Sequence, residues 1–213
     1  MSFEVREARS GDESGVVAVI RTVYDEFGFA WEEDGYCADL YDLSAHYLDA
    51  GHRFWVAEAS CGIVGTGALE LFEPLPGEPG SVAEVEGKLR VAASDCSLER
   101  WYVLPEWRSQ GVGRALLTRV IGTAREVGRS QMEIWSDKRL LEAHRVYERY
   151  GAERVGDRIL EEDPDKCWEW GFRLDLKGWA SPDACEEQPE KSLDRTRTRP
   201  EDFRSPEGPP ATG

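Results

Sequence analysis

Apolar and polar residues alternate at the start of the chain, where "FEVREA" (residues 3–8) predicts a strand. "SGDESGVVAVIRTVYDEFG" follows, with Ser10 as the capping residue and Val16, Val17, Ile20 and Val23 at helical spacing, so a helix is predicted next. From Phe29 to Gly51 the aromatic and acidic run "FAWEEDGYCADLYDLSAHYLDAG" predicts a loop leading into a second helix that ends at Gly51. "RFWVAEASCGIVGTGALEL" then predicts two apolar strands about a tight turn near Ser60 to Gly62. Glu73 to Asp95 is rich in Pro, Gly and charge, and its pattern fits either a long loop or a small inserted hairpin around "KLRVAA".

The second half is more regular. "SLERWYV" alternates as a strand, and Pro105 bars a helix at its end. Leu116, Leu117, Val120, Ile121, Ala124 and Val127 share one face of a helix that Gly128 closes. "MEIWS" predicts a short buried strand, "DKRLLEAHRVYERYG" a helix closed by Gly151, and "ERVGDRI" and "CWEWGFRLDL" two final strands. The order β-α-α-β-β-β-α-β-α-β-β defines an α/β (α+β) domain over residues 1–176. Residues 177–213, dominated by Pro, Glu, Arg and Ser, predict a disordered tail, because too few apolar residues remain to offset the entropy of ordering.

Charge narrows the partners. With 42 acidic against 26 basic side chains, the net charge is −16, which repels nucleic-acid backbones and anionic membranes and makes a cationic acceptor the electrostatic match. Five cysteines and three histidines show no metal-ligand spacing, so no metal is expected and the thiols are read as reduced. The N-terminus has no signal-peptide pattern, and the chain has no apolar run of about 18 residues. A cytoplasmic protein is expected.

The candidate chemistry sits in "WRSQGVGRALL" (residues 107–117), at the mouth of the helix after "SLERWYV". A first helical turn carries unpaired N–H groups and the positive end of the macrodipole, a ready seat for phosphate. Gly111 and Gly113 keep side chains clear of those amides, and Arg108 and Arg114 add charged donors. The nucleotide P-loop fails for want of a Lys-Ser/Thr pair after Gly113, and the dinucleotide fingerprint fails because Leu116 stands at its third glycine.

What does match is R-x-x-G-x-G, at Arg108, Gly111 and Gly113, which resembles the acyl-CoA pyrophosphate signature of the GNAT superfamily of N-acetyltransferases. The upstream "LERWYVLPEWR" and the downstream "AHRVYERYGAE" also resemble that family, and the likeness covers about residues 3 to 174. It implies a mixed, mostly antiparallel central sheet, splayed between the fourth and fifth strands, "SLERWYV" and "MEIWS". In that gap the pantetheine arm of acetyl-CoA would pair with the main chain at Trp101 and Val103. Its pyrophosphate would rest on the amides of Gly111, Val112, Gly113, Arg114 and Ala115, with Arg108 beside them.

Residue by residue, Tyr147 falls where the family has the tyrosine that protonates the departing thiolate of CoA, a role suited to a phenol of pKa about 10. Ser97 occupies the place of the glutamate many members use as general base. Glu99, two residues on and on the same face by strand periodicity, is therefore the candidate base. Leu140 and Ala152 also depart from the family, which commonly has asparagine and phenylalanine there. His144 and Cys96 are read as structural. The acceptor loop "FGFAWEEDGYCADLYD" offers Glu32, Glu33, Asp34, Asp39 and Asp42 beside aromatic rings for an amine.

The implied activity is acetyl-CoA-dependent transfer to a primary amine, on a small molecule or a protein, by direct attack in a ternary complex. Many relatives are dimers, so the likeness also allows a homodimer. The competing reading is a non-catalytic acyl-CoA-binding sensor or interaction module, suggested by Ser97 in the glutamate position and by the tail.

Overall fold

A computed structural model of the chain describes residues 2–160 and 165–182. The strands are β1 (Phe3–Glu7), β2 (Arg53–Ala59), β3 (Gly62–Leu71), β4 (Val82–Val85), β5 (Lys88–Val91), β6 (Cys96–Val103), β7 (Gln131–Asp137), β8 (Glu153–Ile159) and β9 (Trp168–Asp175). Three α-helices accompany them: α1 (Glu13–Phe27), α2 (Val112–Glu126) and α3 (Leu141–Arg149). Seven strands form one sheet in the order β1-β2-β3-β6-β7-β9-β8, mixed and mostly antiparallel.

Pairing of β6 with β7 is parallel, and it holds only at Cys96 with Met132 and Ser97 with Glu133. Beyond those two positions the strands diverge, and the fold opens there. These are the fourth and fifth predicted strands, so the splay falls where the family likeness implied it.

Period-two alternation divides the core. Trp55, Ala57 and Leu69 join α2 and α3 residues such as Leu116, Val120 and Tyr147 on one face. Their chain neighbours Phe54, Val56 and Ala68 join Ile20, Tyr24, Leu40 and Leu43 on the other. Gly28 closes α1 in the left-handed region at φ 67°.

Two segments differ from the pattern reading, and in a third the structure decides between the two alternatives it left open. The second helix does not form as one element: a 3-10 turn at Ala38–Tyr41 and a π-turn at Ser44–Leu48 replace it. Asp42, at φ −145°, leaves helical geometry and accepts the Ala45 amide at 3.0 Å, so its side chain breaks the first turn and starts the second. Second, Glu73 to Asp95 contains a hairpin, β4–β5, turned on Glu86 (φ 51°) and Gly87 (φ 78°), the type I′ geometry that suits strand twist. It docks on the sheet through Arg90 Nε to Glu133 Oε1 at 2.5 Å and Arg158 Nη1 to the Leu89 carbonyl at 2.8 Å.

Third, ordered packing runs past residue 176. Trp179 stacks on Tyr150 and donates its indole N–H to the Tyr150 carbonyl at 2.9 Å. An apolar ring that can bury itself holds the chain locally despite polar neighbours. The rest of the predicted tail, residues 183–213, lies outside the described residues. Among those described, no helix is long and apolar enough to cross a membrane.

Candidate active site

The site begins with a bulge. Tyr102 pairs with Thr66, but Glu99 pairs with Ala68, so Gly67 alone stands opposite both Arg100 and Trp101. Arg100 takes φ 50°, and the Thr66 hydroxyl fixes it by donating to the Arg100 carbonyl at 2.7 Å. The extra residue changes the facing of the strand. Leu98 and Trp101 turn toward α2, whereas Glu99, Arg100 and Tyr102 all turn toward α1 and the loop after it.

One cavity occupies the divergence of β6 and β7. Its walls include Tyr24, Glu32, Tyr36, Glu99, Arg100, Trp135 and Tyr147. Glu99 accepts a 2.6 Å hydrogen bond from the Ser97 hydroxyl. Burial raises its pKa to about 7, with Glu70 adding to the rise and the Ser97 bond opposing it. Ser97 therefore takes no base role of its own; it tunes the carboxylate beside it.

Tyr147 reaches the same cavity from α3. It is 4% exposed, packed against Trp101 (ring centroids 5.3 Å) and Phe172 (5.6 Å). Burial pushes its phenol pKa upward, so it stays protonated as a donor, with Ser136 as its polar neighbour. Ser136 also meets His144 Nε2 at 3.1 Å, and burial lowers the His144 pKa and favours the neutral ring. Cys96 is fully buried, its thiol directed at the Gln131 carbonyl and its pKa raised by burial.

The glycines at the start of α2 have separate reasons. Gly111 sits at φ 88° with open space around a hypothetical Cβ, so backbone conformation calls for glycine there. At Gly113 a Cβ would lie 3.0 Å from Trp101 Cζ2, so the missing side chain makes room for the indole, whose N–H donates to the Gly113 carbonyl at 3.0 Å. The Ala115 amide makes the first i to i−4 bond, to Gly111 at 2.9 Å, while Val112 and Gly113 precede it at the helix mouth with Arg114 on the same turn.

Arg108 is engaged elsewhere in this structure. It forms a forked pair with Glu26 of α1 at 2.7 and 2.5 Å and donates Nε to the Val103 carbonyl at 3.2 Å, tying α1 to the end of β6. Leu140 lines the cavity, and Ala152 is buried in the α2–α3 core. Of the acceptor-loop acids, Glu32 lines the cavity, Asp39 pairs with Arg100, and Asp42 caps a turn.

Sequence reasoning missed Arg100. Strict alternation puts it on the Leu98 face, and only a bulge moves it next to Glu99. The available signal was a charged residue at a position that alternation assigned to the core.

Among the described residues no group of three His, Cys, Asp or Glu side chains is placed to hold a metal. A mixed sheet opened between parallel strands, with a glycine-led helix at one mouth and a carboxylate and phenol lining the gap, is the frame of an acyl-transfer enzyme. The sequence profile of the acetyltransferase (GNAT) family matches residues 19–152. The chain belongs to that family and is an N-acetyltransferase.

An uncharacterized N-acetyltransferase of Escherichia coli, YjgM, is 29% identical over 146 residues, covering 68% of this chain and 78% of that protein. Human N-acetyltransferase 8 is 30% identical over 126 residues, covering 58% of this chain and 49% of that protein, so the chain spans about half of this relative. The yncA acetyltransferase of Salmonella typhimurium, solved with its cofactor acetyl-CoA, superposes at a TM-score of 0.59 and 18% identity, over 87% of this chain and all of that one.

Proposed function

We propose that this N-acetyltransferase moves the acetyl group of acetyl-CoA to a primary amine by direct attack within a ternary complex. The observation that carries the reading is the gap between β6 and β7, joined at two positions only and lined by both Glu99 and Tyr147. The residues present suit the donor: the β6 edge beyond Ser97 is not paired to β7, and the helix mouth at Gly111 to Gly113 presents its amides. Bound there, acetyl-CoA supplies the activated thioester.

Glu99 takes the proton of the attacking amine, and a pKa of about 7 leaves it half ionised at neutral pH while still basic enough to act. Tyr147, held protonated by burial, gives a proton to the departing sulfur. Cys96, buried with a raised thiol pKa, is unsuited to forming an acyl-enzyme, which favours direct attack. The poised carboxylate weighs against a binding module without turnover.

Tyr147→Phe tests the reading. Thiol release should fall by about 10²- to 10⁴-fold while acetyl-CoA affinity, measured by calorimetry, is kept. Unchanged turnover would remove Tyr147 from the mechanism, and binding without turnover of any amine by the unaltered protein would favour the sensor.

A further inference from the structure

Arg100 is 8% exposed, yet its hydrogen bonding is incomplete. Nε and Nη2 grip Asp39 at 3.0 and 2.7 Å, and Nη2 also donates to the Tyr36 carbonyl at 2.5 Å. Nη1 is buried and has no partner. A buried guanidinium N–H left unpaired is costly, and native structures rarely keep one without a reason.

The surroundings supply one. Arg100 lines the same cavity as Glu99, and so do Tyr24, Tyr36 and Tyr102. The Tyr36 ring covers the guanidinium at 4.3 Å and is itself 51% exposed, a cover that an entering group can displace. Two other acids of the cavity already have cations: Asp137 pairs with Arg139 at 2.9 Å and Glu169 with Arg158 at 2.7 Å. Besides Glu32 and Asp165, the wall offers a carboxylate base and, on the next residue, a guanidinium donor seeking an acceptor.

We propose that the acceptor is a primary amine that also bears a carboxylate, as in an α-amino acid, with the carboxylate on Arg100 and the amine at Glu99. The inference rests on the N-acetyltransferase reading above. Glu99 and Arg100 are consecutive in the chain, and the bulge turns both toward one cavity, so a single small zwitterion can face both groups. Nη1 provides one charge-assisted bond to the carboxylate, and the phenols provide the neutral donors that complete it. An amine without an anionic group would leave Nη1 unpaired in the complex as well.

The experiment measures thiol release from acetyl-CoA with the common L-α-amino acids, each beside its decarboxylated amine, such as phenylalanine beside phenethylamine. The expected result is a kcat/KM about 10- to 100-fold higher for the best amino acid than for its decarboxylated partner. Arg100→Gln should remove that preference, bringing kcat/KM for the amino acid down to that of its decarboxylated partner in the same variant. Equal or faster turnover of the decarboxylated amines overturns the inference and leaves acetyl transfer standing.

Acetyl-CoA binding with turnover of neither set also overturns it. Absence of acetyl-CoA binding, read by calorimetry, overturns the underlying activity instead. Because Arg100 also anchors Asp39, folding of the variant is checked by circular dichroism. Should it unfold, the preference of the unaltered protein decides alone.

Discussion

Replacing Glu99 by Gln should make the protein more stable in base and less active, and the first effect needs no acceptor to measure. The Glu99 pKa is raised from 4.5 to about 7 in the folded chain, chiefly by burial. Unfolding returns it to the ordinary value, so between those pH values the folded state holds a proton that the unfolded state has lost. The contribution of the protonated group is full below about pH 4.5 and is lost as pH rises through about 7. A difference of about 2.5 pKa units corresponds to about 3 kcal/mol.

Glutamine keeps the shape and never ionises. Urea unfolding of both proteins at pH 4.5 and 8.5 should show the variant gaining about 3 kcal/mol on the parent between the two, with other titrating groups cancelling in the difference. A gap that stays constant, or closes toward base, would refute the burial argument. In the rate, parental kcat/KM should rise about tenfold from pH 6 to above 8, and Glu99→Gln should lose that rise along with about 10²-fold or more in activity.

Further outcomes follow from single contacts. Ser97→Ala removes the donor that favours the ionised form of Glu99, so the inflection of the pH–rate profile should move up by about one unit. Gly111→Ala forces a side chain into φ 88° and should cost about 1–2 kcal/mol by urea titration, although nothing crowds the new methyl. Arg90→Ala strands Glu133, 1% exposed, without its cation and should cost about 3 kcal/mol. Adding Glu133→Gln should recover part of that loss, and strict additivity in the double-mutant cycle would contradict the pairing.

Much of this architecture is legible in the chain itself. Alternation in "FEVREA" and "SLERWYV", helical spacing from Leu116 to Ala124 and the glycine stops at Gly28, Gly128 and Gly151 suffice to order the main elements. Glu99 and Tyr147 could be singled out through the family likeness, and the structure lines one cavity with both. What stayed hidden has local causes. The β4–β5 turn uses Glu86 before Gly87, without the Asn or Asp that marks such turns. Asp42 divides a helical-looking run by a side-chain bond that periodicity does not register. Arg100 sits in a left-handed conformation that a non-glycine residue rarely adopts, so no strand pattern could have assigned its face.

That bulge has a consequence for mutation. In a regular strand, residues on one face are two apart, and changing one of them leaves an inward-packed neighbour between. Here positions 99 and 100 are adjacent in the gene and share a face, while Leu98 and Trp101 serve the opposite core. On the proposed roles, a substitution at residue 100 changes the group beside Glu99 without taking Leu98 or Trp101 out of the opposite core. Deleting a single residue from the bulge would restore regular pairing and take one of the two groups out of the cavity, so the site accommodates a substitution here far better than a change of length.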